Sequence, residues 1–101
     1  MENPAPESAA VLRLGQVLDL NAAGPLAHEF LALRGRNVEV DASAVERLGA
    51  QCLQVLLSAH ATWNTDGAGF ALVSPSDEFT STLALLGASI DQHFNSRELG
   101  A

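Results

Sequence analysis

Between Asn37 and Gly87 the chain alternates strand-period and helix-period segments, and this alternation limits the possible folds more than any other feature. Residues 37–41 (NVEVD) alternate, with Val38 and Val40 on one face. After a short loop, a helix is expected from about Ala50 to Asn64. Its apolar positions are Leu53, Leu56, Leu57, His60 and Trp63, spaced by threes and fours. Asp66-Gly67 and Gly69 break it. Phe70 to Val73 is a short, wholly apolar run between turn signals, which reads as a central buried strand. In Ser74-Pro75-Ser76-Asp77, Ser74 can cap a helix, Pro75 suits the first helical position and Asp77 the reciprocal capping position. That helix is expected to carry Phe79, Leu83 and Leu86 inward and to stop at Gly87.

Upstream, Ala10 to Leu20 reads as two short strands joined by a tight turn at Gly15-Gln16. Asn21 can then cap a helix reaching about Arg34, which Pro25 prevents from starting before about Ala22. Leu26, Phe30, Leu31 and Leu33 form its apolar stripe, and Gly35 is a stop signal. A last short helix is expected from about Ser89 to Glu98. The order β-β-α-β-α-β-α gives an α/β fold, with a mixed sheet of four or five strands and helices mainly on one face. Leu18, Val38, Val40, Leu53, Leu56, Phe70, Leu72, Phe79 and Leu83 are the expected core. Residues 1–8 read as a flexible N-terminus, 9–98 as one domain and 99–101 as a tail. No internal repeat is visible.

Composition removes several functions. Hydrophobic residues make up 48% of the 101, which suffices for one packed core. Acids outnumber bases 12 to 5, a formal charge of −7, so nothing supplies the cationic surface that nucleic acids or anionic membranes require. The same charge leaves a basic protein partner open. No apolar run approaches the length of a membrane span, and residues 1–9 lack the pattern of an export signal, so the cytoplasm is the expected compartment.

Enzyme chemistry finds no supported constellation. His28, His60 and His93 are scattered, with no spacing suited to a metal, and His60 falls on an inward helical face as a core residue. Cys52 is the single cysteine, which excludes an internal disulfide. His60 lies about two turns from Cys52, roughly 12 Å along one helix and beyond hydrogen-bond reach. Cys52 reads as filler of a small gap, the alternative being a thiol acidified by the helix start. The glycines form no phosphate-binding loop, and Asp77-Glu78 is explained by the helix dipole. No catalytic residue, cofactor or metal is expected.

The stretch from Val38 to Leu57 differs. A strand ends at Asp41, a loop holds Ser43, Val45 and Leu48, and a helix opens with Gly49, Ala50 and Gln51. Small and polar residues there leave backbone N–H groups exposed at a positive helix end. The plain reading is an ordinary crossover, and the functional one is a docking surface.

This stretch resembles the signature of STAS (anti-sigma-factor-antagonist) domains, Asp-x-Ser-x-Val-x-x-(Ile/Leu)-Asp-Ser/Thr-x-Gly-Leu-x-x-Leu. Asp41, Ser43, Val45, Leu48, Leu53 and Leu56 stand at the matching places. The likeness runs over residues 9–89, through Leu18-Asp-Leu20, Asp66-Gly67 and Val73-Ser-Pro-Ser76. It departs at Gly49, where the family has Asp, at Cys52, where it has Gly, and at Ala50, where it has the phosphoacceptor Ser or Thr. The resemblance implies a non-enzymatic module whose partner is a kinase with a histidine-kinase-type ATP-binding domain. Ser43, Gly49, Ala50 and Gln51 would meet that partner, and Ala50 has lost the phosphoacceptor hydroxyl. Residues 48–59 also resemble small STAS proteins that accompany bacterial chemotaxis genes. Alternatives are an accessory subunit of a lipid-transport ATPase, or a domain holding a small ligand between sheet and helices.

Overall fold

The computed structural model describes residues 9–94. The expected N-terminal segment 1–8, the tail 99–101 and the end of the last expected helix lie outside the described residues. Long strands β1 (Ala10–Arg13), β3 (Val38–Asp41) and β5 (Phe70–Val73) form one sheet in the order β1-β3-β5. Short strands β2 (Val17–Leu18) and β4 (Arg47–Leu48) pair separately. The helices are α1 (Leu20–Ala32), α2 (Ala50–Asp66), α3 (Asp77–Leu85) and the single turn α4 (Ile90–His93). The α/β fold is as expected, with every ladder among the described residues parallel.

Two successive units each run long strand, short strand, helix. The first is β1-β2-α1 and the second β3-β4-α2. β1 therefore lies beside β3 while β2 lies beside β4. This replaces the turn-linked strand pair expected around Gly15-Gln16. β1 and β2 do not pair with each other, because the Gln16 carbonyl accepts from the Glu46 and Arg47 amides at 2.8 and 3.0 Å. The chain there continues forward into a second ladder instead of folding back.

The register puts Leu12, Val40 and Leu72 in one row and Val38 beside Phe70 in another, on the face the helices cover. Val11, Glu39 and Ala71 occupy the intervening row and are exposed. Val38 and Val40 are buried as expected, since β3 is the central strand. β5 is an edge strand, so the apolar run Phe70–Val73 is only partly enclosed: Phe70 is buried and Leu72 half-buried. The other expected core positions are buried. Phe30, Trp63, Phe70 and Phe94 meet with ring centres 5.8–6.4 Å apart. Trp63 donates its indole N–H to the Arg36 carbonyl at 2.6 Å, which satisfies its polar edge inside the core.

Three helix boundaries differ from the sequence reading. Asp19, not Asn21, caps α1 by accepting from the Ala22 amide at 3.2 Å, and Pro25 lies in the second turn. The proline is tolerated because Asn21 and Pro25 are both exposed, so water can serve the carbonyl that loses its donor. α2 runs two residues past Asn64 and ends at Gly67, whose φ of 76° gives the left-handed cap that glycine adopts without strain. Ser76, not Ser74, caps α3, accepting from the Phe79 amide at 3.0 Å. Ser74 instead takes φ 51° in the bend out of β5. Starting α3 two residues later leaves Phe79 and Leu83 buried and Leu86 largely outward.

Candidate functional site

The loop between β3 and β4 is fixed from three sides. At its start the Asp41 carboxylate accepts from the Ser43 amide at 2.9 Å. That backbone bond, then the Ser43 hydroxyl and the charge of Arg13 at 3.7 Å, hold Asp41 below the usual carboxylate range. Ala42 and Val45 are buried and anchor the loop from beneath. At the α3 start, the Ser76 amide donates to the Ala42 carbonyl at 3.1 Å, and the Ser76 hydroxyl donates to the Val45 carbonyl at 2.6 Å. Ser76 thus caps α3 and ties the loop to it. No part of the sequence reading gave it the second role.

The loop delivers the chain to β4 and then to Gly49, which precedes α2 in extended backbone and provides no side-chain cap. Its amide donates to the Leu18 carbonyl at 2.8 Å. A Cβ placed on Gly49 would stand 3.1 Å from that same oxygen. Glycine here therefore avoids a tight contact at the β2–β4 junction, besides being a departure from the STAS-like signature. Cys52 is fully buried one turn below, its thiol donating to the Asp19 carbonyl at 3.3 Å. Burial, and secondarily the Asp19 charge, push the thiol above its usual range. This goes against the alternative of an acidified thiol, since Cys52 is buried and its thiol proton is held by the Asp19 carbonyl.

Ser43, in the loop, and Ala50 and Gln51, in the first turn of α2, are exposed, and Gly49 is half-buried. The histidines do not join them. His28 is exposed, His60 stands edge-on to Phe70 and Phe94 at 5.2 and 5.8 Å, and His93 accepts from the Ser89 amide at 3.1 Å. Among the described residues no cluster of three potential metal ligands occurs.

A family model described as "Mlab, STAS domain" matches residues 1–90. The chain belongs to the STAS family. Comparison with curated proteins gave no match. STAS domains are in general non-enzymatic interaction modules of the anti-sigma-factor-antagonist superfamily, acting through protein–protein contacts. Among the described residues, no helix of this STAS domain is long and apolar enough to cross a membrane. Between its sheet and helices, Leu53, Trp63 and Phe79 are buried and Leu57 half-buried. An open concavity lies on the outside, between α1 and α2. Sequence reading missed it because Leu31, counted in the inward stripe of α1, is 63% exposed at its rim.

Proposed function

We propose that this STAS domain is a docking module that stays competent to bind, presenting Ser43, Gly49, Ala50 and Gln51 to a partner kinase with a histidine-kinase-type ATP-binding domain. The supporting observation is Ala50, an exposed methyl at an uncapped helix start beside a loop held by Asp41 and Ser76. A surface ordered before contact loses little entropy on binding, and small side chains let another backbone approach closely. Without a hydroxyl at position 50, phosphorylation there cannot release the partner. The likeness of residues 48–59 to chemotaxis-associated STAS proteins makes the chemotaxis kinase the first partner to try. A cytoplasmic location goes with this reading.

The same missing hydroxyl favours a second reading, an accessory subunit of a lipid-transport ATPase, since a permanent subunit needs no release step. Copurification with a signalling kinase or with a transport ATPase separates the two. For either partner the decisive variant is Ala50→Asp. A carboxylate at a helix start favours folding by about 0.3–1 kcal/mol. At the centre of a desolvated interface it would weaken binding by about 2–5 kcal/mol. Melting temperature and affinity are expected to move in opposite directions. Unchanged affinity in a folded variant would place the docking surface elsewhere.

A further inference from the structure

Asp66 is the last residue of α2, and Gly67 follows it in the left-handed conformation at φ 76°. Breaking the helix does not exhaust the chemistry of this pair. An aspartyl side chain sets its Cγ where it can close a five-membered ring with the next backbone nitrogen, and glycine is the residue that crowds that nitrogen least. Residues 64–67 are all exposed. The Asp66 carboxylate is held from outside α2 by a two-pronged pair. Arg34 Nε donates to one of its oxygens at 3.1 Å and Nη2 to the other at 3.0 Å. Arg34 lies just past α1 and lines the open groove between α1 and α2.

We propose that the Asp66–Gly67 peptide is a site of spontaneous backbone isomerisation, held in check by Arg34. In the first step the Gly67 nitrogen attacks Asp66 Cγ. The N–Cγ bond forms, and the amide hydrogen leaves with the carboxyl hydroxyl as water, giving a cyclic imide. In the second step solvent water adds to the carbon that was the Asp66 main-chain carbonyl. The bond from that carbon to the Gly67 nitrogen breaks, and the nitrogen regains its hydrogen. A carboxylate is left on the old main chain, and the backbone now runs through Cβ and Cγ. Water is the one reagent the sequence of steps needs.

Two kinds of tie oppose the first step. The local ones are the helix itself and the hydrogen bonds that finish it, from the Gly67 amide to the Asn64 carbonyl at 3.2 Å and from the Ala68 amide to the Trp63 carbonyl at 3.0 Å. Helix ends open at little cost, and water is at hand to replace bonds among exposed residues. The non-local tie is Arg34. Its own amide donates to the Leu31 carbonyl at 3.3 Å, and two residues on the Arg36 carbonyl is fixed by the Trp63 indole at 2.6 Å. Arg34 therefore stays in place when the last turn of α2 frays. While its guanidinium spans both carboxylate oxygens, neither is free to leave and Cγ is not free to turn toward the nitrogen. In the product the carboxylate stands on a different carbon, out of the two-pronged geometry. α1 and α2 would then lose their clasp at this end and keep the Cys52–Asp19 contact at the other.

The test holds the purified full chain in mildly acidic buffer and follows the isoaspartyl linkage at residue 66 by peptide mapping with backbone fragmentation. In urea, where every tie is gone, the linkage should build up at least tenfold faster than in the folded chain. Arg34→Gln should speed it in the folded chain by about two- to fivefold, the size of effect an exposed ion pair carries. Arg34→Lys, which keeps the charge but not the fork, should fall between. Cys52→Ala loosens the far end of α2 with the Arg34–Asp66 pair intact, and should leave the rate unchanged. No linkage at residue 66 in urea would overturn the site. Equal rates in native buffer and in urea would overturn the check on it. Equal rates for wild type and Arg34→Gln, both folded by circular dichroism, would overturn the role of Arg34, and so would equal acceleration by Cys52→Ala.

Discussion

The Cys52 thiol donates to the Asp19 carbonyl at 3.3 Å, while the Asp19 carboxylate accepts from Ala22, so one residue serves the starts of both α1 and α2. The two helices that frame the groove are thereby registered to each other at the end nearest the candidate docking loop.

Cys52→Ala removes that donor and leaves a small void, at a cost of about 1 kcal/mol. The thiol pKa is raised in the fold, so its stabilising effect is complete below the ordinary thiol range. It is lost as pH rises through the folded value, because the unfolded chain ionises first. Alkylation in native buffer should be far slower than in urea. Equal rates in the two solvents would contradict the burial.

Gly49→Ala should destabilise by about 1 kcal/mol, since its Cβ meets the Leu18 carbonyl at 3.1 Å and that oxygen is held by the Gly49 amide itself. Gly49→Asp meets the same obstacle but supplies the absent cap. It should therefore be more stable than the alanine variant by about 1 kcal/mol in denaturant titration.

Asp41 is held below its usual range by the Ser43 amide first, then by the Ser43 hydroxyl and Arg13. A depressed carboxylate contributes stability above its unfolded pKa and loses it as pH falls through the folded one. Asp41→Ala should flatten the acid side of the stability profile below about pH 5. It should also speed hydrogen exchange at the Ser43 amide.

Incubated with ATP and its cognate kinase, the wild-type chain should gain no phosphate at residue 50, whereas Ala50→Ser restores an acceptor at an exposed helix start. Intact mass and fragment mapping read this directly. Stoichiometric phosphate anywhere in residues 43–58 of the wild type would remove the reading of a lost switch.

Trp63→Phe keeps an aromatic ring beside Phe30 but leaves the Arg36 carbonyl without its 2.6 Å donor. A loss of about 2 kcal/mol is expected, from the bond and the volume together. Circular dichroism melts of the two proteins would measure it.

Periodicity and turn signals determined most element types and most of the core, because alternation in β3 and three-to-four spacing in α2 report which side of each element avoids water. The two-residue strand β4 lies in what read as a loop. The STAS-like residues from Asp41 to Leu56 were also legible, since they sit close together in one strand-loop-helix. What periodicity could not determine was pairing. β2 and β1 are adjacent in sequence, yet the Gln16 carbonyl finds its donors about thirty residues away in Glu46 and Arg47. The caps at Asp19 and Ser76 were hidden for a related reason. Several residues in each stretch could cap, and the choice was made by what the rest of the chain brought near, Cys52 to Asp19 and Val45 to Ser76. The outward turn of Leu31 belongs to the same class. An apolar residue on a helix is driven to leave water, but only the packing of α1 against α2 decides which positions find room inside.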